Sequence, residues 1–131
     1  MSMVQRKTKI IVTHTFEGIH KWDEAPDDVA FLRNWHRHLF TVRLHVPIHG
    51  DREKEFFMMQ ERLRRTINGR LPLWEMPTDC IDTTNRGPVL MCKVASCESI
   101  ASMILNAFPD ASCCEVWEDM ENGAVVEQEA I

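Results

Sequence analysis

The chain has 131 residues, of which 44% are hydrophobic, and its formal net charge at pH 7 is -5. This size predicts a single domain over residues 1–131 with an ordinary apolar core, and the composition excludes a long disordered tract. The acidic balance argues against a nucleic-acid partner held by electrostatics, and no apolar run is long enough to suggest a membrane span.

Two segments, 9–20 and 36–46, alternate apolar and polar side chains as half-buried β-strands do. His20 falls on the apolar face of the first segment, and His36 and His38 fall on the apolar face of the second. If the two strands pair antiparallel, the three imidazoles converge. Three neutral imidazoles leave one tetrahedral position open, which is typical of catalytic zinc, although this spacing also arises by chance in strands.

An amphipathic helix is predicted over residues 51–67, because apolar side chains recur there at helical spacing. Asn68 and Gly69 are typical of a helix end. Residues 70–95 hold three prolines and are predicted to be irregular, with a short additional strand over 89–94 as an option.

A second helix is predicted from the N-cap Ser96 to Pro109, and the chain closes with a hairpin whose loop, 119–123, contains Asn-Gly. The order of elements is therefore ββααββ. It predicts an α+β fold in which an antiparallel four-stranded sheet carries both helices on one face. Such a sheet exposes its edges, and assembly into a multi-subunit barrel is one remedy.

The five cysteines are odd in number and contain no C-x-x-C pair. A disulfide framework is therefore not expected. Free thiols favour a reducing compartment, so we expect a cytoplasmic protein.

Several motifs, in this order, resemble the 6-pyruvoyl-tetrahydropterin and 6-carboxy-tetrahydropterin synthase family. The segment Phe16–His20 is similar to the family's F-x-A-x-H strand, and His36–Val42 is similar to its H-G-H-x-[YF]-x-V strand. Ser96–Ala101 is similar to the P-T-x-E-x-x-A helix start, and Val116–Glu118 to the late V-x-E strand. The resemblance spans about residues 10–126.

The resemblance implies a tunnel-type fold with sites at subunit interfaces, zinc on the three histidines and a pterin anchored by Glu118. An ionised carboxylate accepts two parallel N–H bonds from an amino-pyrimidinone edge, which makes that role chemically sensible. Ser96 and Cys97, at a helix start with free N–H groups, are expected to line the same pocket. Without the resemblance, Glu118 would be interpreted as a solvated carboxylate and Ser96 as a simple cap.

The chain also departs from the family at positions that handle protons. The family's basic cysteine falls on Leu32, and its Asp-His relay pair falls on Asp82 and Thr83, so only the aspartate is retained. The glycine between the two strand histidines has become Arg37, whose side chain should point to the opposite face of the sheet.

The sequence therefore predicts a zinc-dependent lyase for a dihydroneopterin-triphosphate-type pterin, with non-standard acid–base residues. Asp82 and Cys80 are the candidate catalytic residues, and His14 is another candidate base. The alternative is a non-catalytic zinc protein that binds a pterin or purine and has lost the elimination chemistry. A small β-barrel dioxygenase is disfavoured because no acidic ligand follows the second histidine between Leu39 and Val46.

Overall fold

One mixed five-stranded sheet organises the computed structural model, which describes residues 4–72, 89–93 and 95–131. The strands are β1 (Thr8–His20), β2 (His36–Ile48), β3 (Val89–Lys93), β4 (Cys113–Glu118) and β5 (Asn122–Glu127). They lie in the order β3-β1-β2-β4-β5. The helices are α1 (Phe56–Arg70) and α2 (Cys97–Ala107), and a short 3₁₀ segment covers Asp27–Arg33.

The antiparallel pair β1–β2 is the centre of the sheet. Its register is unbroken from Thr8 opposite Ile48 to His20 opposite His36. β4 pairs antiparallel with β2, and β5 pairs antiparallel with β4. The predicted alternation of buried and exposed side chains thus placed both long strands correctly.

The predicted four-stranded antiparallel sheet is wrong, because β3 adds a fifth strand that runs parallel to β1. Glu17 lies opposite Val89, and Leu90 and Cys92 of β3 are buried. A parallel neighbour needs a crossover connection of a dozen or more residues, and the chain between β2 and β3, which includes α1, is long enough to supply it. The short optional strand over 89–94 was predicted without a direction.

Both α-helices pack on one face of the sheet, as predicted. α1 buries Met59, Leu63 and Ile67, which are spaced four residues apart, and α2 buries Ile100 and Ile104. The sheet face beneath them is apolar and comprises Ile10, Val12, Phe16, Phe40, Val42, Leu44, Val46, Cys114 and Val116. No helix in the described part of the chain is long and apolar enough to cross a membrane.

The first helix begins later and ends later than predicted. Glu55 is its N-cap and accepts a hydrogen bond from the backbone N–H of Met58 at 2.8 Å. The residues before it form a turn in which the Glu53 carboxylate accepts from the backbone N–H of His49. At the other end the helix continues through Gly69, and its C-cap N–H, from Leu71, is bonded to the carbonyl of Ile67.

The final hairpin forms, but the Asn-Gly pair is not its turn. Asp119 and Met120 take positive φ values of 52° and 57°, while Asn122 and Gly123 already belong to β5. A Cβ atom on Gly123 would lie 2.6 Å from the carbonyl oxygen of Val116. Gly123 is therefore needed for close packing against β4 rather than for the turn.

Gly18 gives a first testable prediction, because a Cβ atom there would lie 2.7 Å from Cys92 Sγ and 2.7 Å from the Phe40 ring. We expect Gly18→Ala to lower the free energy of unfolding by about 1–3 kcal/mol through overpacking. In the double variant with Cys92→Ala, the vacated sulfur volume should recover part of this loss. Urea unfolding of the two single variants and the double variant measures the coupling, and additive costs would contradict the packing account.

Candidate metal centre

Three histidines meet where β1 ends and β2 begins. His20 lies directly opposite His36 in the β1–β2 register, and Gly18 lies opposite His38. The ring centroids of His20 and His36 are 4.4 Å apart, and those of His36 and His38 are 5.0 Å apart. One ligand atom from each ring lies within 4.8 Å of the others, so the three side chains could share one ion.

Two of the rings are oriented by backbone carbonyls. His20 Nδ1 lies 2.8 Å from the carbonyl oxygen of Ala95, and His36 Nδ1 lies 2.8 Å from that of Asn34. A carbonyl oxygen can only accept, so Nδ1 carries the proton and donates in both rings. In the neutral form of each ring, Nε2 is then the atom whose lone pair can bind a metal.

The third ring is oriented by a carboxylate. His38 Nδ1 lies 2.7 Å from Asp119 Oδ2, and the other oxygen, Oδ1, accepts from the backbone N–H of Leu39 at 2.8 Å. Burial alone would raise the pKa of Asp119, but these hydrogen bonds outweigh it and lower that pKa. An ionised carboxylate again requires the proton on Nδ1, so Nε2 is the available atom in all three rings.

Two of these Nε2 atoms are buried and have no hydrogen-bond partner among the residues that the structure describes. They belong to His20 and His38, and the oxygens of Glu118 lie 3.5 Å and 3.6 Å from them without forming a hydrogen bond. Burial is the largest cause of the lowered pKa of His20, which keeps that ring neutral. Imidazole nitrogens are a donor set that a divalent zinc ion takes, and three of them converge here with their Nδ1 atoms already engaged, so the residues present fit zinc.

Glu118 lies on the same sheet face as the histidines, since its partner in the β2–β4 register is Phe40. It is held by the thiol of Cys97, the first residue of α2. Burial, and then the neighbouring Glu118 carboxylate, raises the pKa of Cys97 to about 12. The thiol is therefore protonated at neutral pH and donates its hydrogen to the carboxylate.

A cavity of about 420 Å³ opens beside this cluster. The predicted pocket residues Ser96, Cys97 and Glu118 all line it. The other lining residues are His20, Lys21, Trp22, Leu32, His36, Ala95, Glu98, Asn122 and Gly123. The volume is in the range of a small-molecule site.

Sequence reasoning did not find Trp22, whose side chain is 51% exposed at the cavity. It stands outside the periodic segments, and its place is set by a backbone hydrogen bond of 2.7 Å from its N–H to the carbonyl of Leu32. A large aromatic residue two positions after the candidate ligand His20 was the available signal.

No protein-family model and no curated protein matches the chain. Among solved structures, an uncharacterized protein, WS1659, from Wolinella succinogenes superposes with a TM-score of 0.65 at 15% identity, over 95% of this chain and 100% of that one. The 6-pyruvoyl tetrahydropterin synthase of Caenorhabditis elegans superposes with a TM-score of 0.57 at 10% identity, over 98% and 100% of the two chains. The fold is that of 6-pyruvoyl tetrahydropterin synthase.

The synthase of Plasmodium vivax has the same fold, with a TM-score of 0.52 at 15% identity, over 95% of this chain and 99% of that one. A second structure of that enzyme is a catalytic-residue mutant in which a glutamate is replaced by cysteine. The predicted resemblance is thereby confirmed at the level of fold, including the tunnel-type topology.

Of the positions predicted to handle protons, one lies at the cavity, one lies away from it, and the others fall outside the described residues. Leu32, at the position of the family's cysteine, lines the cavity as an apolar residue. Cys80, Asp82 and Thr83 lie outside the described residues, so their predicted roles remain predictions. His14 is not among the cavity residues, and the ring lies beside Phe16 with centroids 6.3 Å apart.

Arg37 lies on the face of the sheet opposite the histidines, as predicted from its position between them. It forms an ion pair with Glu17, which is 5% exposed. The departure from the family's glycine therefore leaves the three rings unobstructed.

Proposed function

We propose that this protein is a zinc-dependent tetrahydropterin synthase-like lyase acting on a pterin of the dihydroneopterin triphosphate type. The observation that carries the proposal is the convergence of three imidazoles whose Nδ1 atoms are each held by a hydrogen bond. In two of them, His20 and His38, Nε2 is buried and has no hydrogen-bond partner among the described residues. Zinc bound there would act as a Lewis acid on side-chain oxygens of the substrate. The shared fold supports the substrate class.

Glu118 is the proposed anchor for the amino-pyrimidinone edge of the pterin. It lies on the cavity wall with its carboxylate beside the metal-facing nitrogens of His20 and His38. The Cys97 thiol occupies part of its acceptor capacity and so helps to fix its orientation. Two parallel N–H bonds to an ionised carboxylate combine charge and direction, which suits a flat heterocycle.

The base that takes a proton from the substrate is not Cys97, because a thiol with a pKa of about 12 stays protonated at neutral pH. Asp82 and Cys80 remain the proposed acid–base residues. In the Plasmodium vivax synthase, the residue mutated as catalytic is a glutamate, so a carboxylate can be a catalytic residue on this fold.

Product analysis after incubation with dihydroneopterin triphosphate and zinc tests the proposal. A 6-pyruvoyl- or 6-carboxy-tetrahydropterin product that His36→Ala no longer forms would support the lyase. Binding of the substrate without turnover at saturating zinc would instead support the second candidate, a pterin-binding protein. Leu32 favours that candidate, since it gives the cavity wall no proton acceptor at the family's cysteine position.

Leu32→Cys separates these two functions. If the cavity binds a pterin and lacks only the base, a thiol at this position should raise turnover by about 10²–10⁴-fold, the usual contribution of a positioned general base. Leu32→Ser is the matched control, because it adds a polar group of similar size that is a poorer base. Equal rates for the two variants and the unaltered protein would contradict the assignment of this position.

We also propose that the chain forms a homo-oligomer through its sheet edges. Within the described residues, β3 and β5 are the outer strands of the sheet, and proteins commonly cover or blunt exposed strand edges. Closure into a multi-subunit barrel would cover both and would bring subunits together around the cavity. Light scattering should show more than one subunit, and a monomer at micromolar concentration would contradict this assembly.

A further inference from the structure

Asp119 forms a hydrogen bond with His38, one of the three proposed metal ligands, through the ring nitrogen that is not proposed to bind the metal. Its Oδ2 accepts from His38 Nδ1 at 2.7 Å, and its Oδ1 accepts from the backbone N–H of Leu39 at 2.8 Å. The other two rings use the backbone carbonyls of Ala95 and Asn34 for the same purpose. His38 is thus the one ring of the three that is oriented by a charged side chain.

The backbone of the β4–β5 connection fixes this carboxylate in place. The N–H of Asp119 donates to the carbonyl oxygen of Leu39 at 2.8 Å, so the two residues are linked in both directions. The N–H of Glu121 donates to the carbonyl of Glu118 at 3.0 Å and closes the turn. Asp119 takes a left-handed conformation with φ 52°, which aspartate tolerates better than most residues.

We propose that Asp119 is a positioning residue that fixes the tautomer and orientation of His38, so that Nε2 is presented to the metal. The inference rests on the proposed metal site. Carboxylate–histidine–metal arrangements hold the ligating ring in one orientation and increase its basicity. Asp119 needs no contact with metal or substrate to act in this way, since its two oxygens are already used by His38 and Leu39.

Asp119→Asn is the sharpest test because it keeps the size of the side chain and removes one acceptor. If the amide oxygen still accepts the hydrogen bond from the Leu39 N–H, the amide NH₂ group faces His38 Nδ1. Both the NH₂ group and a protonated Nδ1 are donors, so they cannot form a hydrogen bond with each other. The favoured tautomer would then carry its proton on Nε2, the atom needed for the metal. Glu121→Gln is the matched control, since it removes the same charge from an exposed side chain in the same turn.

Two measurements follow from this design. In metal-free protein, ¹⁵N NMR of the imidazoles should show His38 protonated on Nδ1 in the unaltered chain and in Glu121→Gln, but on Nε2 in Asp119→Asn. In competition with a chromophoric chelator, Asp119→Asn should bind zinc about 10–100-fold more weakly, while Glu121→Gln should match the unaltered chain. Asp119→Ala, which removes both acceptors, should weaken zinc binding without inverting the tautomer.

The two readouts separate failure of this inference from failure of the proposed function. If the unaltered chain binds no zinc, the proposed function falls, while the NMR comparison still decides the role of Asp119. An unchanged His38 tautomer in Asp119→Asn would overturn the inference. So would zinc affinity equal to that of the unaltered chain in both Asp119 variants, with circular dichroism showing that both are folded.

Discussion

Protein with His36→Ala should purify without zinc, whereas the unaltered chain should carry about one zinc ion per subunit, since three imidazole donors and one open position define a single site. The substitution removes one of three converging donors, and its effect should exceed the roughly 10–100-fold loss expected from removing an outer partner such as Asp119. His36 is only partly buried, so the variant should still fold. Elemental analysis after gel filtration, with circular dichroism on the same sample, gives the result.

His49→Ala is the matched control for that experiment, because it removes an exposed imidazole outside the cluster. It should retain the full zinc content. A His36→Ala protein that keeps its zinc would show that the ion, where present, is held elsewhere. Zinc absent from all three proteins would reduce the account to the fold alone.

Glu118→Gln should abolish tight pterin binding while leaving the zinc content close to one per chain. The amide offers one acceptor oxygen in place of two, and its NH₂ group would oppose a donor of the ligand. Losing a charge-assisted pair of hydrogen bonds costs about 2–4 kcal/mol, or roughly 30- to 1,000-fold in dissociation constant. Calorimetric titration of the zinc-loaded protein with a reduced pterin measures this directly.

Glu98→Gln provides the control, since Glu98 lines the same cavity but its side chain is exposed. It should change pterin affinity little. Loss of zinc along with pterin in Glu118→Gln would contradict the anchor role, because it would show that this carboxylate serves the metal. Equal losses in the two variants would point to a general charge effect in the cavity.

The convergence of the histidines was predictable because strand periodicity and register are local properties. Alternation alone placed His20, His36 and His38 on one face, and an antiparallel β1–β2 pair leaves few registers that keep that face buried. The same alternation carries Glu118 onto this face through Val116. These inferences use only the two-residue alternation of side chains along a strand, so they need no knowledge of the rest of the fold.

The remaining features depend on non-local packing and could not be derived in this way. β3 runs parallel to β1 because of the path that the preceding chain takes back to the sheet. The five residues of β3 do not encode that direction. The 3₁₀ segment, which carries Leu32 to the cavity wall, has no apolar period. Asp119 and His38 are 81 residues apart in the sequence, and their hydrogen bond depends on the folded structure. From the sequence, Asp119 was predicted only to be part of the hairpin loop.

The family resemblance identified several positions that would handle protons, but the structure describes only some of them. Position 32 was identified by comparison with the family's motif, and the structure places Leu32 at the cavity. Asp82 and Cys80 lie in a polar, proline-containing stretch without periodicity, outside the described residues. Their roles therefore stay predictions, and turnover of the proposed substrate by variants at these two positions would test them.

X-ray absorption spectroscopy at the zinc edge of the purified, unaltered protein tests the central claim most directly. We expect three imidazole nitrogens at about 2.0–2.1 Å and one further light atom in a four-coordinate shell. His20, His36 and His38 should be the source of the imidazole signal, which each alanine variant should lose. A shell containing sulfur at about 2.3 Å, or protein that takes up no zinc, would contradict the claim.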